Sequence, residues 1–248
     1  MIFFIGAGPG APDLITVRGA NLLSRADLVI YAGSLVNPAL LSSCPQGCEV
    51  MNSATMTLEQ VIAAMAGRPA SDTVVRLHTG DPSLFGAVRE QMDELDRRGI
   101  PYEVVPGVSS MHAAAAALHA EYTLPGVSQA VIACRMAGRT PVPAGQDIRA
   151  LAAHGASMAV FLSAGMLEEL CNELTAGGFA PETPAAVVYK ASWPEEEIIR
   201  GTLKTLPEKA SHIRKTALVL VGGFLCGGGE RSKLYDPSFS HGYREADR

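Results

Sequence analysis

Several features that mark other classes of protein are scarce or missing in these 248 residues. The chain has five cysteines, an odd number, at positions 44, 48, 134, 171 and 226, and it is too long to need disulfides for stability. We therefore expect free thiols in a reducing compartment. Cysteine and histidine never occur in the four-ligand spacing of a zinc site, so the sequence predicts no metal site.

Long apolar runs and basic clusters are also missing. The N-terminal MIFFI has no basic segment and stops at Gly6, which indicates a first strand and not a secretion signal. The most apolar later stretch, residues 217–229, is far shorter than the roughly 20 residues that cross a bilayer. A net charge of -5 without a Lys/Arg-rich run disfavours nucleic acids and membrane surfaces as partners. We expect a soluble cytoplasmic protein whose acidic ligands are held by local Arg or Lys.

Strand-like aliphatic runs alternate with helical patterns along the chain, which predicts an α/β fold. Thr57 and Gln60 have capping-box spacing in front of an apolar helix. Pro82 is placed to begin a second helix, residues 196–203 resemble an antiparallel edge strand, and residues 207–213 suggest a short helix. A change to Pro-, Gly- and Arg-rich sequence after Glu121 predicts two domains, 1–115 and 116–228, followed by a polar tail, 229–248.

A glycine-rich loop, GAGPGAPDL, follows the first strand. Gly6, Gly8 and Ala11 match a relaxed dinucleotide fingerprint. Pro9 and Pro12 each remove an N–H that a pyrophosphate would need, and the second strand does not end in the acidic residue that binds ribose. The sequence therefore favours a ligand without a pyrophosphate, and the loop as a purely structural tight turn stays open as an alternative.

Three further loops also follow predicted strands: HTGDPSLFG at 78–86, PGVSS at 106–110 and YKASW at 189–193. Ligands of open α/β sheets collect beyond the carboxyl ends of strands. Gly80 allows close backbone approach, and Asp81 is either a hydrogen-bond acceptor for a ligand or a helix cap. The serines of PGVSS either admit a ligand or cap a helix.

Taken together, these ordered motifs resemble the tetrapyrrole methylase family over essentially the whole chain. The resemblance implies methyl transfer from S-adenosylmethionine to a small-molecule tetrapyrrole, with S-adenosylhomocysteine as product. It also implies a homodimer of chains with two α/β domains and a cofactor cleft between them, distinct from the common Rossmann methyltransferase fold. Four stretches resemble the branch that acts in cobalamin biosynthesis: YAGSLVNPALL, GDPSLFGAVREQ, GRTPVP and YKASWPEEEIIRGTL.

The resemblance carries cofactor contacts onto this chain, position by position. The chain departs from uroporphyrinogen-type members, which have Gly-Gly-Asp where Thr79, Gly80 and Asp81 stand, and Met where Ser163 stands. The implied cofactor contacts are Pro9, Thr79, Gly80, Asp81, Leu84, Ser109, Ser110, Ser163, Ala164 and Ala191.

A tetrapyrrole carries many carboxylates, which Arg binds well through bidentate contacts. Basic residues in or beside the motif loops are Arg18, Arg89, Arg135, Arg139 and Lys190. The residues expected to bind the substrate are Gly8, Gly10, Arg18, Ser34, Arg135 and Lys190. No catalytic residue is assigned. His78 and Asp81 are the nearest candidates for a proton acceptor, although a lone His at a strand end is more often structural.

Four alternatives stay open. Two lie within the family: a methylase acting on another tetrapyrrole carbon, and an RNA ribose methylase, which the acidic balance disfavours. A nicotinamide oxidoreductase is disfavoured by the prolines of the first loop. A tetrapyrrole-binding module without turnover is not separated from an enzyme by the sequence.

Overall fold

The computed structural model describes residues 1–33 and 35–246. The chain divides into two compact units: the first contains residues 1–113 and 190–196, and the second contains residues 114–189 and 197 onward. The segment 190–196 therefore belongs to the unit formed by the N-terminal half. The domain limits expected from the sequence, 1–115, 116–228 and 229–248, stay a prediction.

The first unit is built on a parallel sheet. Its strands are β1 (Ile2–Gly6), β2 (Leu28–Tyr31), β3 (Glu49–Asn52), β4 (Val74–His78) and β5 (Tyr102–Val105), and its helices are α1 (Val17–Leu23), α2 (Leu58–Ala66) and α3 (Arg89–Arg97). The strand order is β3-β2-β4-β1-β5, and all pairs run parallel. One face packs against α1 and the other against α2 and α3, so the central strand β4 is buried along its whole length.

Local predictions in this unit had mixed outcomes. The capping box is confirmed, since the Thr57 amide donates to the Gln60 side chain at 2.9 Å and the Thr57 hydroxyl accepts from the Gln60 amide at 3.4 Å. The helix expected to begin at Pro82 is wrong, because α3 begins at Arg89. Phe85 and Ala87 have φ angles of 54° and 47°, and residues in this left-handed region cannot continue a right-handed helix.

The second unit is built on a mixed sheet. Helix α4 (Ser110–Leu118) crosses the division at residue 113, and the remaining helices are α5 (Ile148–Ala152), α6 (Leu167–Ala176) and α7 (Leu206–Lys209). The strands are β6 (Val131–Arg135), β7 (Ser157–Phe161), β8 (Pro184–Tyr189), β9 (Glu197–Thr202) and β10 (Ala217–Val221).

The strand order of this second sheet is β6-β7-β10-β8-β9. Only β6 and β7 run parallel, and the other pairs are antiparallel. The prediction of an antiparallel edge strand at 196–203 is confirmed by β9. The helix expected at 207–213 is shorter, because α7 ends at Lys209. Helices α5, α6 and α7 supply Ile148, Leu170 and Leu206 to a single core on one face of the sheet.

Candidate functional site

Three glycine-containing loops of the first unit meet at the carboxyl ends of β1, β4 and β5, which are neighbours in the sheet. Gly8 and Gly80 exchange two backbone hydrogen bonds of 3.3 and 2.8 Å. A Cβ atom added at Gly6 would lie 2.5 Å from the Cα atom of Gly107. Backbone packs directly on backbone here, so glycine is required at positions 6 and 107.

The glycine-rich loop has few amides left for an anion. The Ala7 amide donates to the His78 carbonyl at 2.7 Å, and the Gly8 amide donates to the Gly80 carbonyl. The Ala11 amide donates to the Ser192 hydroxyl at 3.0 Å. Moreover, α1 begins only at Val17, so its amides do not follow the loop directly. This geometry does not form the phosphate cradle of a dinucleotide site.

Asp81 ties two of these loops together. One carboxylate oxygen accepts from the Gly107 amide at 2.8 Å, and the other accepts from the Ser83 amide at 2.8 Å and from the Ser83 hydroxyl. Burial raises the pKa of the Asp81 carboxyl, but the hydrogen bonds from Ser83 and Gly107, aided by nearby His112, lower it below its ordinary value. Asp81 is therefore an ionised carboxylate with three donors already bound, and it does not cap α3.

A buried polar network supports the turn that follows Asp81. The Arg76 guanidinium donates to the Gln91 side chain at 3.1 Å and to the Ile30 carbonyl at 3.2 Å. The Gln91 amide in turn donates to the carbonyl of Ala87 at 3.0 Å. Burial lowers the pKa of Arg76 to about 10, so the guanidinium stays charged at neutral pH. The network connects the central strand to the turn at 82–88.

His78 lies in the same buried region, 4% exposed, with its ring 5.9 Å from that of Phe4. Burial and, to a smaller extent, the charge of Arg76 lower the pKa of His78 to about 3, although a hydrogen bond with the Gly86 backbone opposes both effects. Its Nε2 atom has no hydrogen-bond partner among the described residues. His78 is thus a neutral, enclosed imidazole at physiological pH.

The segment 190–196 contacts the glycine-rich loop within the first unit. The Trp193 indole donates to the Pro9 carbonyl at 2.9 Å, and a Cβ atom at Gly10 would overlap the indole ring. Lys190 and Ser192 have left-handed φ angles of 46° and 68°, which turn the segment onto the loop. Such strain in residues with side chains is typical of functional sites.

Two further side chains, those of Asn37 and Lys190, lie beside the contact between Trp193 and the glycine-rich loop. The Asn37 side-chain amide donates to the Gly10 carbonyl at 2.9 Å. The Lys190 ammonium lies 5.1 Å from the centre of the Trp193 ring and 3.4 Å from the Glu195 carboxylate. The positive charge of Lys190 is therefore partly compensated inside its own segment.

The serines of PGVSS differ in position. Ser109 is buried, and its hydroxyl accepts from the Met111 amide at 3.4 Å while its carbonyl accepts from His112 and Ala113. Ser109 therefore caps α4, and Ser110 is the half-buried first residue of that helix. In the neighbouring loop, the Thr79 hydroxyl donates to the Leu35 carbonyl at 3.0 Å.

In the second unit, Ser163 follows β7 and is completely buried. Its hydroxyl donates to the Phe161 carbonyl at 2.7 Å and accepts from the Met136 amide at 3.0 Å. Ser163 thereby joins the chain leaving β6 to the chain leaving β7. Leu162 beside it has a φ of 55° and is 67% exposed, an unusual state for a leucine.

The basic candidates differ in how far their charge is already used. Arg18 pairs with Glu103, and Arg89 pairs with Asp93 and Asp96. Arg135 donates to three backbone carbonyls. Arg139 is exposed and forms no hydrogen bond or ion pair with the part of the chain that the structure describes. Ser34 lies outside the described residues.

Residues 1–207 match the family of Tetrapyrrole (Corrin/Porphyrin) Methylases. The chain belongs to this family. The expectation drawn from the four ordered motifs is thus confirmed.

Curated tetrapyrrole methylases resemble the chain over its full length. The cobalt-precorrin-4 C(11)-methyltransferase of Methanocaldococcus jannaschii is 49% identical over 100% of this chain and 97% of that protein. The precorrin-4 C(11)-methyltransferase of Pseudomonas aeruginosa is 45% identical over 99% of each chain.

Solved structures of tetrapyrrole methylases share the fold. A cobalt precorrin-4 methyltransferase from cobalamin biosynthesis matches with a TM-score of 0.88 at 46% identity, over 90% of this chain and 95% of that one. A uroporphyrin-III C-methyltransferase from Thermus thermophilus, complexed with S-adenosylhomocysteine, matches with a TM-score of 0.78 at 29% identity, over 90% and 92%. The two α/β domains are those of the family and not those of the common Rossmann methyltransferases.

Sequence reasoning missed three polar residues that organise this site. Arg76 had one usable signal, a charged residue inside the apolar strand VVRLH, because a buried cation needs partners. Gln91 and Asn37 had none, since Gln91 accepts from the Arg76 side chain and Asn37 donates to the Gly10 carbonyl, and both partners are remote in sequence. All three support the loops that carry the predicted contacts.

The described residues contain neither a metal centre nor a membrane-spanning helix. No group of three or more His, Cys, Asp or Glu side chains is arranged to hold a metal ion. Among the same residues, every helix is too short or too polar to cross a bilayer.

Proposed function

We propose that the chain transfers a methyl group from S-adenosylmethionine to ring carbon 11 of precorrin-4, giving precorrin-5 and S-adenosylhomocysteine in cobalamin biosynthesis. Relatives with that C(11) activity in their names are 45–49% identical over nearly the whole chain. The observation that carries the proposal is the meeting of the loops that contain Gly8, Gly80 and Gly107, two of which the ionised Asp81 joins. Small residues and backbone oxygens suit a sulfonium donor.

The bound donor supplies an already activated methyl group on a sulfonium. The protein then has to orient a nucleophilic ring carbon and exclude water. Orientation alone can lower a barrier by roughly 7 to 11 kcal/mol, so a dedicated protein nucleophile is unnecessary. We assign no proton acceptor, because His78 is enclosed and Asp81 already accepts three hydrogen bonds.

The proposed donor contacts differ in what this structure leaves open to a ligand. Thr79, Asp81, Leu84 and Ser110 are half-buried and can touch a ligand directly. At Gly80 a Cβ atom would meet nothing closer than 3.6 Å, so the backbone there is not crowded. The remaining contacts are buried, and we propose that they shape the backbone beneath the donor: Pro9, Ser109, Ser163, Ala164 and Ala191.

We further propose that the enzyme is a cytoplasmic homodimer that binds neither nucleic acid nor membrane. The acidic balance of the chain supports a small-molecule substrate over RNA. The substrate-binding role proposed for Gly10 and Lys190 is supported by the contact of each with the Trp193 ring.

The proposal is tested with purified protein, S-adenosylmethionine carrying a labelled methyl group, and three separate substrates: precorrin-4, cobalt-precorrin-4 and uroporphyrinogen III. We expect label at carbon 11 of one or both precorrin-4 forms and none on uroporphyrinogen III. Label at another ring carbon would establish a different tetrapyrrole methylase. Tight binding of donor and ring without transfer would establish a binding module.

A further inference from the structure

A short loop after β6 carries a cation whose charge is unused within the described residues. We propose that Arg139, on the loop 136–141, binds a peripheral carboxylate of the tetrapyrrole, and that Arg135 is a positioning residue that holds this loop in shape. The inference rests on the proposed function, for which it names a substrate-specificity residue.

The loop is closed by one guanidinium. Arg135, the last residue of β6, donates to the carbonyl oxygens of Met136 at 3.0 Å, Thr140 at 3.1 Å and Pro141 at 2.8 Å. These contacts join both ends of the loop, and Pro141 restricts its backbone further. Because the donors of Arg135 point at its own loop, its charge stiffens the loop and is not the one offered to a substrate.

The loop begins beside predicted donor contacts of the same unit. Arg135 pairs with Phe161 across the parallel strands β6 and β7. The Met136 amide then donates to the hydroxyl of the buried Ser163 at 3.0 Å. The loop therefore starts at the carboxyl ends of parallel strands, where ligands of α/β sheets bind.

Arg139 is the only charged side chain of residues 136–146, and no acidic residue occurs from 122 to 146. The nearest following acid, Asp147, accepts from the Ala150 amide at 2.9 Å as the cap of α5. Of the basic candidates near the motif loops, Arg18, Arg89 and Lys190 form ion pairs. An exposed guanidinium on a stiff loop binds a carboxylate with little loss of conformational freedom.

The test uses Arg139→Ala, Arg139→Lys and a matched control, Arg25→Ala, which removes an exposed arginine between α1 and β2. For Arg139→Ala we expect the KM for the tetrapyrrole to rise about tenfold, the kcat to stay within about twofold, and the Kd of S-adenosylhomocysteine to stay unchanged. Arg139→Lys recovers part of the loss. Arg25→Ala leaves all three values unchanged. An unchanged tetrapyrrole KM in Arg139→Ala overturns the inference.

Arg135→Met tests the positioning role. We expect it to raise the tetrapyrrole KM as Arg139→Ala does, and the double variant to be no worse than the single variants, since both changes remove one contact. Additive losses refute the positioning role.

Binding of precorrin-4 in the presence of S-adenosylhomocysteine, followed by the visible absorbance of the ring, separates this inference from the proposed reaction. If the wild type binds the ring but transfers no methyl group, the proposed function fails. A weakened Kd in Arg139→Ala then still supports the inference, and an unchanged Kd overturns it.

Discussion

Replacing Asp81 by alanine tests whether the hydrogen bonds by which Asp81 joins two loops contribute to binding of the methyl donor. The change removes the oxygen that accepts from the Gly107 amide and the oxygen that accepts from both the amide and the hydroxyl of Ser83. The bond to Gly107 is the one that joins distant parts of the chain. A hydrogen bond to a charged group contributes about 1.5 to 3 kcal/mol, and we take about 1.5 because the carboxylate is partly open to solvent.

That energy corresponds to about a tenfold rise in the Kd of S-adenosylhomocysteine, since about 1.4 kcal/mol changes a binding constant tenfold. Isothermal titration calorimetry measures the Kd directly. We expect the loss of this bond to lower the Tm by only a few degrees, because each kcal/mol lowers the Tm of a chain of this size by about 2 to 4 °C and the bond contributes about 1.5 kcal/mol.

Asp27→Ala is the matched control for Asp81→Ala. The Asp27 carboxylate also accepts a remote backbone amide, that of Thr73, at 2.8 Å, but it lies before β2, at the amino ends of the strands and away from the carboxyl ends where the loops meet. We expect Asp27→Ala to lower the Tm similarly and to leave the Kd unchanged. A folded Asp81→Ala with a Kd within twofold of the wild type would refute the reasoning.

Three further predictions concern the same unit. Gly107→Ala places a Cβ atom 2.7 Å from the Cα atom of Gly6, so we expect the free energy of unfolding to fall by about 1 to 3 kcal/mol. Gly242→Ala, where a Cβ atom meets open space, should cause no loss, and equal stability of the two variants contradicts the tight packing at Gly107. Trp193 is the only tryptophan, so donor or ring bound near Pro9 shifts its fluorescence, and saturation without a shift removes that loop from the site. His78 stays neutral in the folded protein because burial lowers its pKa to about 3, so its contribution to stability is present above pH 6.5 and is lost as the pH falls toward 3. An inflection of kcat near pH 6.5 that vanishes in His78→Gln contradicts the lowered pKa.

Elements whose pattern is local were predictable from the sequence. The capping box at Thr57 needs only residues three apart, and β9 contains the adjacent β-branched residues Ile198 and Ile199, which favour a strand. Strand β3 was missed because Glu49–Asn52 is largely exposed and has no apolar alternation. The turn after Pro82 was mistaken for a helix start because Phe85 adopts a left-handed backbone conformation. Phenylalanine ordinarily avoids that conformation, so its presence in the sequence does not predict a turn.

The loops of the candidate site were predictable from the sequence, but the contacts that hold those loops in place were not. Parallel strands bring their carboxyl ends to one edge, so Gly8, Gly80 and Gly107 were expected near each other. The contact between Trp193 and Pro9 joins residues 184 positions apart, and no local pattern encodes it. Asp81 was ambiguous between cap and acceptor until its bond to Gly107 could be seen.

The seven residues at 190–196 have a consequence for biogenesis. Because they belong to the first unit, that unit cannot be completed on the ribosome until most of the chain has been synthesised. A fragment ending at residue 113 leaves the Pro9 carbonyl and the Ala11 amide without their partners. Rescue of such a fragment therefore requires a peptide that spans Trp193.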